Sequence, residues 1–327
     1  MFSTVPVAAQ VRFIVMPESV AVVINRGPFT VLHFGKEARK PYLHPLLTVQ
    51  GGPDPVTRGF PVDPLPGDSF DHPNERGLAI GAENVNGDDF WDNEPDNPAP
   101  NKGTIAFQKL TEVTEGNERG TLSLLAHWIS HEGKLLLVEH RTMTFYAQPA
   151  GRRTFDIDIE LEAKEQVTFA DQQYALIGLR LGLPWDHHQD GYAINAAGDK
   201  FARPSDFVAG KQPSQVEGRR SPWLVYIGIT SGEGRVGVAL FDHPGNLHYP
   251  ARWQIRQTGF MMANPFGGKS FAQLDPSAAS ENAAYTMKPG KKLHFRYRYM
   301  MYNAGKTEEP EGIVTKVDKV QKEFAKQ

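Results

Sequence analysis

The chain has 327 residues, no cysteine, a formal net charge of −3 and a pI near 6.4. The lack of cysteine removes disulfides, thiolate metal sites and cysteine nucleophiles, and the near-neutral charge offers no basic field to a nucleic-acid backbone or an anionic membrane. No run of about 18 apolar residues is present to span a bilayer as a helix, so a neutral small molecule or sugar is the partner the surface suits best.

With 31 Gly, 25 Pro, 5 Trp and 19 Phe, the composition suits many short strands joined by turns, and the fold expected is all-β. The length admits two average domains, but large β-architectures often use it for one, and a single domain over residues 1–327 is the expectation. The opening MFSTVPVAAQ is too short for a signal peptide, although Val7-Ala8-Ala9-Gln10 resembles the small-residue end of one whose start is missing. Cytoplasmic and periplasmic or secreted locations both stay open.

Apolar, β-branched runs at 11–16, 19–24 and 29–34 predict an opening meander, with Asn25-Arg26-Gly27 as a hairpin turn. Residues 41–47 read as a strand interrupted by proline, hence an edge or bend. From 51 to 67 the chain is rich in Gly, Pro and Asp, a long loop of the kind that often carries function. A regular series follows at 104–110, 121–130, 135–147 and 154–163, broken by turn chemistry at Glu115-Gly116-Asn117, His131-Glu132-Gly133-Lys134 and Gln148-Pro149-Ala150-Gly151. In the last of these strands Phe155, Ile157, Ile159 and Leu161 alternate with acids, giving one dry face and one wet face. A large antiparallel sheet is implied. Residues 174–183 continue the pattern, and Trp185-Asp186-His187-His188 opens a polar excursion to about Arg220. Strands are expected again at 223–230, 235–241 and 293–302, while 248–253 and 262–268 look turn-rich. Ile313, Val317, Val320 and Phe324 recur at helical spacing behind Pro310, predicting an amphipathic helix over about 308–326 packed on the sandwich.

The candidate chemistry concentrates in SFDHPNERGLAIGAENVNGDDFW, residues 69–91. His72, Glu75 and Arg76 fall within one turn, enough for general acid–base work and for holding an oxygen-rich ligand. The alternative is a capped turn in which Asp71 bonds its own backbone and Arg76 pairs with Glu75. Glu83 and Asn86 add groups that read sugar hydroxyls, and Trp91 offers a stacking face or, equally, a core side chain. Phe70-Asp71-His72-Pro73 returns as Phe241-Asp242-His243-Pro244, and Arg252-Trp253 again sets a cation beside an aromatic. We therefore expect the two turns to share one pocket containing His72 and His243, unless the tetrapeptide is only a favoured strand exit. Asn264 is a binding amide or a turn former. His72, His243, His187, His188 and His248 with nearby carboxylates suit a transition metal in principle, but no fixed-spacing ligand triad is present and no cofactor is assigned. Nor is there a dinucleotide fingerprint, Walker loop, GxSxG elbow or kinase signature.

YLHPLLTVQGGPDPVTR, DHPNERG, NVNGDDFW, ALFDHPGN and ANPFGG, in this order across residues 40–302, resemble the DUF6807 family, also labelled PmoA-like or methane oxygenase. The resemblance implies a β-supersandwich related to galactose mutarotase, with carbohydrate chemistry in a cleft on one sheet. The methane-oxygenase label sits badly with a chain that has no spanning helix. His72, Arg76, Asn86, Trp91, His243, Arg252, Trp253 and Asn264 match the family pattern. Histidines of its DHPHHRG are replaced here by Asn74 and Glu75, a further one by Ala82, and its WHxRDYG pattern reads Trp253-Gln254-Ile255-Arg256-Gln257-Thr258-Gly259. If relatives use those histidines for metal or proton transfer, this chain does so with Glu75 and Glu83 or has kept only binding. The expected function is a carbohydrate-active enzyme working by hydrolysis, elimination or epimerisation, with His72 and Glu75 sharing acid and base roles. A non-catalytic sugar-binding protein and a metal-dependent oxidase are the alternatives.

Overall fold

The computed structural model describes residues 10–48, 55–148, 151–201, 216–232, 234–305 and 310–327. The signal-peptide-like Val7-Ala8-Ala9 lies outside them. In chain order the first strands are β1 (Val11–Met16), β2 (Ser19–Ile24), β3 (Gly27–His33), β4 (Tyr42–Leu43), β5 (Leu78–Ala82), β6 (Thr104–Thr114) and β7 (Arg119–Ile129). Next come β8 (Leu135–Tyr146), β9 (Arg152–Ala163), β10 (Val167–Phe169), β11 (Ala175–Arg180), β12 (Tyr192–Asn195) and β13 (Lys200–Phe201). The last are β14 (Trp223–Thr230), β15 (Gly234–Asp242), β16 (Arg252–Arg256), β17 (Phe260–Asn264), β18 (Tyr285–Met287), β19 (Lys292–Asn303) and the helix α1 (Pro310–Phe324).

They form an eight-stranded sheet in the order β1-β2-β3-β4-β5-β11-β17-β16 and a nine-stranded sheet in the order β13-β12-β14-β15-β19-β9-β8-β7-β6, with β10 and β18 as a separate ribbon. All strand pairs are antiparallel, so the expected all-β antiparallel sandwich with a C-terminal helix is present. Asn25 and Arg26 both adopt positive φ, the demand of a two-residue turn, and hold β2 to β3 in register.

Register decides which face of the eight-stranded sheet is dry. Across β5, β11, β17 and β16, Leu78, Leu179, Met261 and Ile255 stand in one row, and this face joins Phe145, Phe155, Ile157 and Tyr299 of the other sheet in one buried cluster. The neighbouring row, Ala79, Gly178, Met262 and Gln254, points the opposite way because side chains alternate with period two. So does the row Arg180, Phe260, Arg256. That outer face carries the cleft described below.

On the far side of the nine-stranded sheet, α1 lays Ile313, Val317, Val320 and Phe324 over Trp223, Val225, Phe241 and Met300. At the opposite edge the two sheets are tied together. Val11 and Gly116 exchange backbone hydrogen bonds of 2.8 and 3.3 Å, and the Glu115 carboxylate accepts from the Phe13 amide at 3.0 Å.

Several elements differ from expectation, among them β5, β10 and β18, for which the sequence pattern predicts no strand. The 41–47 strand shrinks to Tyr42–Leu43 before Pro45. The turn-rich stretch after the second FDHP contains β16 and β17, whose polar residues lie on the outer face. The polar excursion after Trp185 holds β12 and β13 besides a short 3-10 turn at His187–Gln189.

Candidate functional site

A cleft of about 200 Å³ opens on the outer face of the eight-stranded sheet, lined by His72, Asn74, Glu83, Asp89, Trp91, Asp92, Tyr174 and Arg256. Its floor is Trp91. A Cβ at Gly178 would stand 2.6 Å from the indole Cη2, and one at Gly81 would stand 3.2 Å from Cε3, so the ring lies on two side-chain-free positions of neighbouring strands. Phe260 and Met262 flank it. The indole is 3% exposed, so it is packed like a core residue while contributing to the cleft surface.

The backbone after Trp91 is held from below by Lys40, whose ammonium donates to the Trp91 carbonyl and to Asn93 Oδ1, each at 2.7 Å. Burial pushes the Lys40 amine down to about 8, opposed by Glu94 and Asp89. Asp89 accepts from the amides of Trp91 and Asp92 at 2.8 Å each and pairs with Lys102. Its charge and desolvation together raise the pKa of Glu83, desolvation being the larger effect, although the Glu83 residue is solvent-exposed overall.

His72 is the open imidazole at this cleft. It adopts positive φ, its Nδ1 lies 3.0 Å from Asp71 Oδ2, and its side chain is 42% exposed. Asp71 Oδ1 in turn accepts from Ser69 and from two buried guanidiniums, Arg58 and Arg180, the latter at 3.0 Å. Desolvation works to raise the Asp71 carboxyl, but Arg180, Ser69, His72 and Arg58 hold it well below the carboxylate range. A carboxylate so fixed keeps the Nδ1 proton in place, and no group among the described residues bonds His72 Nε2.

Glu75 does not face the cleft. Its side chain is fully buried, bridging Arg180 Nη1 at 2.8 Å and Arg256 Nη1 at 2.6 Å. Removing its charge would take a carboxylate from two guanidiniums, leaving Arg180 paired with Asp71 alone, so it is an orienting carboxylate rather than the open acid or base expected from sequence. Through it the cleft-lining Arg256 is fixed, with its other nitrogen donating to Tyr174 Oη at 3.0 Å. Beyond Arg256, Gln254 donates to Glu217 at 3.3 Å, and burial pushes the Glu217 carboxyl up to about 7 against the pull of Arg256.

The other expected residues lie elsewhere. Arg76 turns to Glu94, its Nε 3.1 Å from each carboxylate oxygen. Asn86, at positive φ, donates to the Gln166 carbonyl and accepts from the Thr168 amide, the work of a turn former. Arg252 is 1% exposed and divided between Asp275 and Glu281. Trp253 lies in the inter-sheet core with Nε1 donating to the Ser221 carbonyl, and Asn264 is enclosed between Gln172 and Phe266.

The two FDHP turns do not share the cleft. His243 is 5% exposed, Nδ1 accepting from the Gly245 amide and the ring edge-on to Phe324 of α1 at 5.1 Å. Burial lowers it to about 4. Asp242 accepts from the Asn246 side chain and from the Ala251 amide, a structural role at the strand exit rather than one facing a ligand. Of the histidines weighed for metal, His187 packs against Phe201 and Tyr226, His188 bonds Asp186, and His248 bonds the Pro265 carbonyl. Among the described residues no three His, Asp or Glu side chains converge as metal ligands would, and no helix is long and apolar enough to cross a membrane.

Sequence reasoning passed over Arg58, Arg180, Tyr174 and Arg256. Two signals were available: Arg180 is the single charge in the apolar ALIGLR, and Arg256 ends an alternating RWQIR. A charge inside an apolar strand must be paired, so it points to a buried ionic network. A larger hollow of about 550 Å³ lies beyond the 57–69 segment, rimmed by Leu65, Leu183 and Ile229. Its Asp68 is committed to the amides of Phe60 and Leu65, and among the described residues no histidine or arginine lines it.

No curated protein matches the chain. Solved structures similar to it include the galactose mutarotase related enzyme of Lactobacillus acidophilus, 12% identical, covering 91% of this chain and 99% of that one, with a TM-score of 0.38. A galactose mutarotase-like protein of Clostridium acetobutylicum is 9% identical over 90% and 98% of the two chains, with a TM-score of 0.43. An aldose epimerase homologue of C. elegans is 8% identical over 90% and 99%, with a TM-score of 0.36. Residues 19–312 match DUF6807, a family of unknown function, and the chain belongs to that family.

Proposed function

We propose that the cleft binds a small carbohydrate and transfers protons on it, in a hydrolysis, elimination or epimerisation, with His72 as the principal base and Glu83 as the acid. The observation that carries this reading is the Asp71–His72 pair: an anchored carboxylate fixes one imidazole nitrogen and leaves the other to exchange a proton at the cleft. The raised Glu83 carboxyl supplies the complementary group, since a carboxyl that holds its proton more readily beside an imidazole with one open nitrogen lets the site give and take a proton together. Arg256 and Tyr174 would hold ligand oxygens, and Trp91 would support a ring.

The test is a panel of glycosides and their keto derivatives, followed by NMR in deuterated buffer for turnover and solvent exchange. His72→Gln should retain binding and lose about 10²- to 10⁴-fold in turnover. Glu83→Gln should remove the fall in activity that accompanies ionisation of the acid as pH rises. Full turnover in His72→Gln overturns the assignment. Binding with no turnover by the unaltered protein selects the sugar-binding alternative, which the commitment of Glu75 and Arg76 to internal ion pairs favours. Metal-dependent oxidation, the reaction a methane-oxygenase label would imply, requires stoichiometric iron or copper, which elemental analysis measures.

A further inference from the structure

We propose that the ligand is a glycoside bearing a second ring, and that Phe70, backed by Phe60, is the exposed platform on which that ring stacks beside His72. The inference rests on reading the cleft as a sugar site and extends it to the class of sugar.

Size is the first argument. Small-molecule pockets usually enclose about 300–1,000 Å³, whereas this cleft offers about 200 Å³. One ring fills it, and anything attached to that ring must lie outside. Exposure is the second. Phe70 is 72% exposed, more than any other large apolar side chain among the described residues, the next being Ile14 at 56%. Burying a phenylalanine is worth about 1.5–3 kcal/mol, and the fold leaves that gain uncollected here.

Rigidity is the third argument, because a mobile loop would explain an exposed ring without any ligand. The Phe60 and Phe70 rings lie 5.0 Å apart at 58°, and the Arg58 guanidinium sits 5.3 Å from the Phe60 centroid. Arg58 is itself 2% exposed and donates to the carbonyls of Phe60, Ser69 and His72 at 3.2, 3.2 and 2.9 Å. One buried cation therefore fixes the backbone on either side of Phe70 and backs the Phe60 ring against which Phe70 rests. Two residues of chain span at most about 7 Å, so the Phe70 backbone stands next to that of the cleft-lining His72, at the border of the space a second ring would occupy.

The experiment compares, for one sugar that binds, its methyl glycoside, its phenyl glycoside and a disaccharide, by calorimetric titration of the unaltered protein, Phe70→Ala and Phe70→Trp. At 72% exposure the alanine variant should fold normally, which its thermal melt checks. The expected result is that a two-ring ligand binds about tenfold more tightly than the methyl glycoside, that Phe70→Ala erases this advantage without weakening the methyl glycoside, and that Phe70→Trp keeps it. Preference for the phenyl glycoside alone assigns an aromatic aglycone, and preference for the disaccharide assigns a second sugar. Equal binding of one-ring and two-ring ligands, or an advantage that survives Phe70→Ala, overturns the platform and leaves the sugar site standing. Absence of binding by any glycoside overturns both.

Discussion

Glu75→Gln separates an orienting carboxylate from a proton-transfer group. Around it the charges are three guanidiniums, Arg58, Arg180 and Arg256, against Asp71 and Glu75. The substitution leaves three cations facing one carboxylate, with Arg180 wholly buried and its Nε already without a partner among the described residues. Breaking one side of a buried ion pair costs about 3–5 kcal/mol. For a chain of this length that corresponds to a fall of about 4–7 °C in Tm. Urea titration at 0.1 and 1 M NaCl should show nearly the same loss, since enclosed pairs are poorly screened. Ligand affinity should fall with stability, because Arg256 loses the carboxylate that aims it. A loss under about 1 kcal/mol with unchanged affinity would refute the reasoning, as would a stable variant that binds normally and has lost only turnover.

Gly178→Ala should push Trp91 from its seat, costing about 1–3 kcal/mol and weakening any ligand of the cleft, measured by melts and titration. His44 is pushed down to about 4 by burial, with neighbouring His33 adding to it. The unfolded chain therefore takes up that proton first, and stability present above about pH 6.5 is lost as pH falls toward 4, by at most about 3 kcal/mol. Urea midpoints of His44→Phe at pH 7 and 4.5 should show that much less acid sensitivity than the unaltered protein. Deleting residues 310–327 uncovers the faces buried by Ile313, Val317, Val320 and Phe324. At about 1.5–3 kcal/mol each the loss rivals the whole stability of a typical protein, and the truncated chain should be recovered only as aggregate. We also expect one cooperative unfolding transition and no proteolytic split into folded halves, because a single apolar cluster runs through both sheets.

Where alternation was clean the sequence could be read almost residue by residue. β9 shows this, its Phe155-to-Leu161 dry row and acidic wet row matching the burial along the strand. β16 and β17 escaped for different reasons: in β16 the alternating Arg252, Gln254 and Arg256 give the polarity of a turn although the first two are buried, and β17 is apolar on both faces and too short to show a period. The arginine network escaped as well. Its members are distributed over residues 58, 180 and 256, and only the pairing of β11 with β17 and of β17 with β16 brings Arg180 and Arg256 to one row. The FDHP repeat misled in the opposite sense. Four identical residues produce an open histidine in one place and a closed one in the other, because α1 covers the second turn. Local chemistry was legible; what covers it was not.

The tie between β1 and the 115–116 turn bears on how the protein keeps to itself in a crowded solution. An exposed border strand presents a row of unsatisfied amides and carbonyls that invites another chain to add on, and β1 also bears Ile14, Val15 and Met16 at the surface. That invitation is withdrawn along most of its length. The outward amide of Val11 is already bonded to Gly116 and that of Phe13 to Glu115, which by alternation leaves Val15 as the last position with both amide and carbonyl open to a newcomer. A single such position cannot register a strand, so a visiting chain meets a greasy corner with nowhere to zip.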